Sequence, residues 1–228
     1  METLAKIGLL RSLDSAAIQR LDTQCAWRRV ARNQWIINYQ DDTRDVFFVT
    51  RGTVRVMIQS VAGRDVLLRE IEAGEFFGEL AAIDAAPRTA GIVAVTDVTV
   101  AQMPAPVFRA AIHAHPDVCD QVLALLARQI RILANRVNEF TTLDARYRIY
   151  AELLRLAKTS HHGQSEAVIS PPPVQAELAA RVSIRREAVS REIKALERAG
   201  LLVRRRGALV LTDPARLQRL IDEASETR

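Results

Sequence analysis

The spacing of apolar residues first indicates short strands. Residues 27–103 contain runs rich in Val, Ile and aromatic residues, such as VFFVTR, TVRVMIQ and DVLLREI, with Gly, Asp or Asn between them. Short strands at regular spacing are typical of an antiparallel β-roll, sandwich or barrel. A hairpin turn at Ala62-Gly63 fits this interpretation. We therefore predict that residues 1–115 form an antiparallel β-roll.

The period then changes to that of a helix, from about Pro116. Positions that step by four and three residues predict one long helix over residues 116–143, with a coiled-coil seam. A seam of this length favours a parallel homodimer, although packing of the seam against the chain's own β-roll remains open. The predicted dimer interface consists of Val122, Leu126, Gln129, Leu133, Arg136 and Phe140.

Residues 144–228 have the layout of a winged helix-turn-helix domain. A helix over residues 174–181 is followed by a turn at residues 182–184 and by a second helix that Gly200 ends. The stretch LLVRRRGALVLT then predicts a two-stranded wing. At the helical period, the second helix has one polar face and one apolar face.

The polar face of this second helix carries side chains whose donors and acceptors suit the edges of bases in the major groove of DNA. Arg186 and Arg191 suit guanine, and Glu187 suits cytosine. The wing arginines suit phosphates, which position a protein without specifying sequence. A protein-binding winged helix is the alternative. The predicted DNA-binding residues are Arg185, Arg186, Glu187, Ser190, Arg191, Lys194, Arg205 and Arg206.

The charge distribution favours a nucleic-acid partner. The 228-residue chain has a net charge of +5, and residues 181–206 hold nine basic and three acidic side chains. A local basic field is typical of proteins that bind the DNA backbone, although a solvated basic face remains open. No stretch approaches the roughly 20 apolar residues that span a bilayer. We therefore expect a cytoplasmic protein with no membrane partner.

The sequence gives little support for metal chemistry or catalysis. Cys25 and Cys119 lack a CxxC spacing, so we expect packed, reduced thiols. His161 and His162 lie in a polar loop without a third ligand nearby. The chain has neither a Walker-type loop nor a recognisable Ser-His-Asp set. We expect no bound metal and no enzymatic activity.

A further polar feature lies in the apolar loop GEFFGELAAIDAAPRTA. It places Gly78 and Glu79 on one side, with Arg88 and Thr89 on the other. A carboxylate and a guanidinium in apolar surroundings need a partner, which is either each other or a polar ligand. From the residues alone, an internal salt bridge and a ligand site both remain open.

These features together resemble the Crp/Fnr family of transcription regulators, in its cyclic-AMP receptor protein branch. FFGELAAIDAAPRTA is similar to the family's phosphate-binding cassette, and RREAVSR is similar to its recognition helix. The resemblance extends over about residues 7–212. It implies an α+β protein with an N-terminal, jelly-roll-like antiparallel β-roll, a long dimerisation helix and a C-terminal winged helix-turn-helix.

The resemblance also implies a ligand. In similar proteins the cassette Glu binds the ribose of a cyclic nucleotide, and the Arg with its neighbouring hydroxyl binds the cyclic phosphate. Cyclic AMP is the first candidate, and the Thr at the phosphate position makes cyclic GMP the second. The implied nucleotide-binding residues are Gly78, Glu79, Leu80, Arg88, Thr89, Leu133, Ala134 and Asn135.

The chain departs from the family's usual residues in the nucleotide site, where Leu133 and Ala134 replace a Thr-Ser pair that contacts adenine, and at four positions elsewhere. Asn33 and Gln40 stand where glycines are usual in early β turns, and Ser183 replaces the glycine between the DNA-binding helices. Arg185 replaces a helix-capping Ser. Because Asn tolerates a left-handed backbone, we expect the roll to survive these changes.

The resulting hypothesis is a homodimeric transcription factor. A cyclic nucleotide would control its binding to palindromic, TGTGA-type double-stranded DNA, and the position of the loop at residues 159–170 implies a contact with RNA polymerase. Two alternatives remain: a ligand-independent DNA binder with a vestigial pocket, and an enzyme that processes cyclic nucleotides.

Overall fold

The computed structural model describes residues 2–59, 65–159 and 166–226. The turn predicted at Ala62-Gly63 and the pair His161-His162 lie outside these residues. The chain divides into two compact units, Met1–Gln129 and Ile130–Arg228.

The N-terminal unit is built around strands that pair only in the antiparallel sense. Their bounds are β1 (Ala26–Val30), β2 (Trp35–Ile37), β3 (Val46–Arg51), β4 (Thr53–Gln59), β5 (Asp65–Glu72), β6 (Phe76–Phe77), β7 (Gly91–Ala94) and β8 (Val98–Met103). One sheet has the order β1-β8-β3-β6 and the other the order β2-β7-β4-β5. Every strand pair in these sheets is antiparallel. The predicted antiparallel β-roll is confirmed.

Alternation along the strands builds two cores in this unit. Successive side chains of a strand point to opposite faces, so Phe47 and Phe48 enter different clusters. Phe47 packs with Val49 and Val54, which come from different sheets and are fully buried. Phe48 packs instead with Phe108. The helices of this unit are α1 (Ser15–Thr23), α2 (Glu79–Asp84) and α3 (Ala105–Ala114).

Two turns of the roll show why residues other than glycine suffice. Asn33 has φ 66° and Gln40 has φ 64°, so both lie in the left-handed region. Asn enters this region at low cost because its short polar side chain bonds locally. The expectation that the roll tolerates both residues is confirmed.

The long helix α4 runs from Pro116 to Thr142. The predicted helix is confirmed to within one residue at its C-terminal end. The division between the two compact units falls inside α4, after Gln129. The predicted boundaries of three domains stay a prediction.

The seam predicted on α4 includes two side chains that have contacts within the single chain. Val122 is buried in the core of the N-terminal unit, beside Val118 and Leu125. Arg136 turns toward Glu152 of the same chain. Both side chains thus have contacts within the single chain, and their place in the dimer interface stays a prediction. Gln129 is half-buried.

An exposed apolar stripe lies next to that buried face. Leu126 is half-buried, and the other members of the stripe are at least 40% exposed. The members recur at alternating intervals of three and four residues, which is the heptad spacing of a two-helix seam. Leu126, Leu133 and Phe140 belong to the predicted interface as well as to this stripe. The stripe consists of Leu123, Leu126, Ile130, Leu133, Val137 and Phe140.

The C-terminal unit packs helices on a small antiparallel sheet of order β11-β12-β10-β9. The sheet and helices share a core that includes Ile149, Leu153, Leu196 and Leu211, each at most 1% exposed. Residues 160–165, in the loop between β9 and β10, lie outside the described residues. The elements are α5 (Ala145–Leu156), β9 (Lys158–Thr159), β10 (Ala167–Ile169), α6 (Gln175–Val182), α7 (Arg186–Arg198), β11 (Leu202–Arg205), β12 (Ala208–Leu211) and α8 (Pro214–Glu226).

The pair α6 and α7 forms the predicted helix-turn-helix, and β11 with β12 forms the wing. Ser183 ends α6 in the left-handed region, at φ 52° and ψ 48°. Arg185 occupies the N-cap of α7 and makes no side-chain capping bond. The predicted fold class is confirmed, with both family departures accommodated at the turn.

Replacing Ser183 with glycine tests the strain at this turn. Because a Cβ is disfavoured at positive φ, Ser183→Gly should raise the free energy of unfolding by up to about 1 kcal/mol. The matched change Ser190→Gly lies inside α7 and should lower it by roughly 0.5 kcal/mol. Urea unfolding of both variants is the measurement. A loss of stability in Ser183→Gly equal to that in Ser190→Gly would contradict the strain.

Candidate functional site

Gly78 is required by the geometry of the cassette. It adopts φ 89° as the residue before α2, in a left-handed conformation. A Cβ at this position would lie 2.7 Å from Nη1 of Arg88 and 2.8 Å from the carbonyl oxygen of Asp45. Both the backbone angle and the close approach of Arg88 therefore select glycine here.

Arg88 is buried, with 3% of its surface exposed, and neutral oxygens hold it. Its Nε donates to Oγ1 of Thr43 at 3.1 Å. Its Nη1 donates to the carbonyl oxygen of Gly78 at 2.8 Å, and its Nη2 donates to that of Asp45 at 2.7 Å. The guanidinium also lies 5.9 Å from the centre of the Phe47 ring. These contacts fix its orientation and leave further N–H groups without a described partner.

No carboxylate oxygen of a described residue contacts the Arg88 guanidinium within 4.0 Å. The internal salt bridge from Glu79 to Arg88, which the sequence left open, is therefore absent from the described contacts. Burial lowers the pKa of Arg88, and the charges of Asp45, Asp41 and Glu79 oppose that shift. The cassette thus holds a desolvated cation that nearby carboxylates influence only from a distance.

Glu79 is also buried, with 7% of its surface exposed. Burial raises the pKa of its carboxyl, while its own backbone N–H and the charges of Arg69 and Arg88 act in the opposite direction. The buried acid and the buried base therefore share one small region of the roll. Both are destabilised there in their charged forms.

The other predicted nucleotide-binding residues differ in exposure. Leu80 and Thr89 are exposed on the N-terminal unit. Residues 133–135, which are Leu133, Ala134 and Asn135, are exposed on the part of α4 that belongs to the C-terminal unit. Their role in nucleotide binding stays a prediction.

Sequence reasoning missed three residues of the cassette. Thr43 and Asp45 orient Arg88 by accepting its hydrogen bonds, and no local sequence pattern predicts these contacts. Arg69 is a second cation near Glu79, and its carboxylate neighbour is Glu75 at 3.9 Å. The sequence did contain a signal for Arg69. Alternate residues of a strand point to the same face, so Arg69 shares a face of β5 with the buried residues Leu67 and Ile71.

The recognition helix α7 has the two faces that the sequence predicted. Val189, Ile193 and Leu196 are buried in the core of the C-terminal unit. Ser190 is half-buried, and the other predicted base-reading residues are exposed: Arg185, Arg186, Glu187, Arg191 and Lys194. The polar face is therefore open to a partner.

The wing arginines are exposed but differ in their contacts. Arg205 forms two 3.0 Å hydrogen bonds with Glu166, and Arg204 pairs with Glu197 at 2.6 Å. Arg206 is exposed at the turn of the hairpin, beside Gly207 with φ 73°. Exposed ion pairs of this kind contribute little stability, so they exchange readily for a phosphate.

The described residues contain neither a metal-ligand cluster nor a membrane-spanning helix. Within residues 2–59, 65–159 and 166–226, no three His, Cys, Asp or Glu side chains group closely enough to hold a metal ion. In the same part of the chain, every helix is too short or too polar to cross a bilayer.

Two family models match the chain in the order of its two units. The model of the cyclic nucleotide-binding domain matches residues 27–115, which contain the cassette. The model of the Crp-like helix-turn-helix domain matches residues 147–220, which contain α6, α7 and the wing.

Curated relatives extend over most of the chain. The "CRP-like cAMP-activated global transcriptional regulator" of Mycobacterium tuberculosis is 25% identical over 96% of this chain and 98% of its own length. The "cAMP-activated global transcriptional regulator CRP" of Escherichia coli O6:H1 is 27% identical over 79% of this chain and 86% of its own length.

Solved structures show the same fold. A CooA mutant from Carboxydothermus hydrogenoformans has a TM-score of 0.79 at 20% identity, covering 93% of this chain and 94% of its own. The catabolite activator protein of Thermus thermophilus has a TM-score of 0.54 at 25% identity, covering 95% and 99%. With both domain models in order, relatives along most of its length and a shared fold, this chain belongs to the Crp/Fnr family of transcription regulators.

Proposed function

We propose that this protein is a homodimeric transcription factor switched by a cyclic nucleotide. Cyclic AMP is the first candidate and cyclic GMP the second, and the target is palindromic, TGTGA-type DNA. The observation that carries the proposal is the buried Arg88, whose cationic group meets only neutral oxygens among its described contacts. A desolvated cation without a contacting carboxylate favours an anionic ligand.

The chemistry of a cyclic nucleotide fits this cassette. The cyclic phosphate supplies the missing negative charge for Arg88, with the exposed hydroxyl of Thr89 beside it. Glu79 accepts from a ribose hydroxyl, and this pairing lowers the cost of its burial. The choice of cyclic AMP rests on the relatives, whose names describe them as cAMP-activated.

The open face of α7 supports the DNA part of the proposal. Arg186 and Arg191 present forked donors to guanine, while Glu187 accepts from cytosine. Arg206 and its wing neighbours contact phosphates, which adds affinity and salt dependence without sequence preference. RNA polymerase is the further partner we propose, from the family resemblance alone.

The exposed stripe on α4 supports the dimer. Five of the six stripe residues are exposed in a single chain, and all six lie at heptad spacing. Pairing the stripe with its copy buries this surface and relates two recognition helices by a two-fold axis. A palindromic site, with half-sites one DNA turn or about 34 Å apart, matches that symmetry.

The two alternatives lack comparable support. The relatives found are transcription regulators, and the described residues gather no cluster that would activate water on a metal. A vestigial pocket would not require Gly78 at φ 89° against a buried Arg88. We therefore propose regulation by a bound nucleotide and no catalytic step.

Removing the cassette arginine tests the proposed ligand site. Arg88→Leu should weaken cyclic AMP binding by about 100-fold or more, which corresponds to roughly 3 kcal/mol for lost charge-assisted hydrogen bonds. Isothermal titration calorimetry is the measurement. Arg44→Leu, which removes an exposed arginine of the same unit, is the matched control and should keep the wild-type affinity. Micromolar binding by a folded Arg88→Leu variant would refute the assignment.

Exchanging one base-reading arginine tests the recognition face. Arg191→Ala should cost about 1–3 kcal/mol and relax the preference at one guanine of each half-site. Arg206→Ala is the control, since loss of a phosphate contact should weaken all sequences alike and reduce the salt dependence. Binding to a library of single-base variants separates the two results. An unchanged base preference in Arg191→Ala would count against this face.

A charge in the exposed stripe tests the dimer. Ile130→Asp should convert the dimer into monomers, because two carboxylates would face each other across the seam. Ala124→Asp places the same charge on an exposed part of α4 outside the stripe and should leave the dimer intact. Sedimentation equilibrium gives the mass of each variant. A monomeric wild type, or a dimeric Ile130→Asp, would contradict the interface.

A further inference from the structure

A buried carboxylate gathers charged side chains from three helices of the C-terminal unit. Only 1% of the Glu152 side chain, on α5, is exposed. Its Oε1 lies 3.5 Å from Nη1 of Arg181 on α6, and its Oε2 lies 3.9 Å from Nη2 of Arg136 on α4. Its Oε2 also contacts Arg155, one helical turn along α5. Arg155 in turn reaches Glu139 on α4.

Glu152 supplies the negative charge that compensates the burial of Arg136 and Arg181. A buried carboxylate is costly unless cations and hydrogen bonds compensate it. Burial lowers the pKa of Arg136, and Glu152 is the first charge that opposes this shift, whereas Arg155 and Arg181 add to it. Without Glu152, the arginines of α4, α5 and α6 would repel one another. The carboxylate therefore holds three helices together that like charges would separate.

The cluster is buried on the arginine side as well. The side chains of Arg136 and Arg181 are 11% and 12% exposed. The Nε of each is buried without a hydrogen-bond partner among the described residues. Neither side chain has an alternative carboxylate within contact distance in the described part of the chain. Movement of one helix away from Glu152 would leave its arginine buried and uncompensated.

A second contact continues from α5 to the recognition helix. The hydroxyl of Tyr150 donates to Oε1 of Glu192 on α7, and Arg146 contacts both groups. Tyr150 and Glu152 are two positions apart on α5, so they project from different faces of that helix. Helix α5 thus contacts α4 and α6 through Glu152, and it contacts α7 through Tyr150 and Arg146.

We propose that Glu152 is a positioning residue that couples the C-terminal turns of α4 to the helix-turn-helix. A shift of these turns moves α6 through the shared carboxylate, and α7 follows through α5. The role in regulation rests on the proposed function, in which α4 carries the dimer stripe and the nucleotide acts through α4. The mechanical link itself depends only on the contacts within the C-terminal unit.

Reciprocal hydrogen-exchange measurements test the link without any ligand. Arg136→Gln, on α4, should reduce the exchange protection of amides in α6 by roughly tenfold, and Arg181→Gln, on α6, should do the same for residues 136–142. Arg136→Lys keeps the charge and should restore most of the protection. Arg131→Gln is the matched control, because Arg131 is exposed on the same helix and makes no ion pair in the described residues.

The protection of α8 serves as the internal reference for a general loss of stability. Unchanged protection of α6 in Arg136→Gln, or a loss that spreads equally to α8, would overturn the inference. Arg136→Gln and Arg181→Gln each keep Glu152 with two of its three arginines, so both variants should fold even where Glu152→Gln does not.

A DNA-binding measurement tests the regulatory part. In wild-type protein the ratio of DNA affinities with and without saturating cyclic AMP defines the coupling, and Arg181→Gln should reduce this ratio about fivefold or more. Its affinity for cyclic AMP in the absence of DNA should not change. A wild type without any response would refute the proposed function and leave the exchange experiment to decide the link. A full response in Arg181→Gln would refute the role of Glu152 in transmission.

Discussion

The N-terminal unit depends on how one buried guanidinium is held. Arg88 donates to two backbone carbonyls and one hydroxyl, and no described carboxylate touches it. This arrangement orients the cation but does not neutralise it, so its burial cost is only partly offset. Glycine is needed at position 78 because the backbone there is left-handed and because Arg88 leaves no space for a Cβ. The cassette is thereby built around a charge that a small anion would complete.

The C-terminal unit solves the same problem in the opposite way. There a buried carboxylate, Glu152, is compensated by arginines from three helices. A buried charge that partners within the chain compensate makes the structure rigid. A buried charge without such a partner makes a binding site, because the partner must then come from outside the chain. The proposed function uses both clusters, together with the apolar stripe of α4.

The sequence predicted what local patterns encode. Strand alternation, the helical period and the order of the reading helix and wing gave the fold, and the two-faced pattern of α7 gave its buried and open sides. The left-handed turns at Asn33 and Gln40 were also accessible, because the family resemblance marked these positions. Backbone conformation at such sites is a local property.

Tertiary contacts account for what the sequence did not predict. The contacts of Val122 and Arg136 within the chain were not predicted, because heptad spacing does not say which of two neighbouring stripes of α4 the chain covers itself. Thr43 and Asp45 reach Arg88 from more than 40 positions away, so no spacing rule links them. The cluster around Glu152 had no signal, since its members are scattered among ordinary surface-like charges.

A mobility-shift titration tests the central claim, that an anion bound at the cassette controls DNA binding, most directly. A TGTGA palindrome is titrated with the protein alone, with cyclic AMP and with cyclic GMP, at one fixed salt concentration. We expect weak DNA binding by the protein alone and DNA binding at least about fivefold tighter with cyclic AMP. Equal affinity under all three conditions would contradict it.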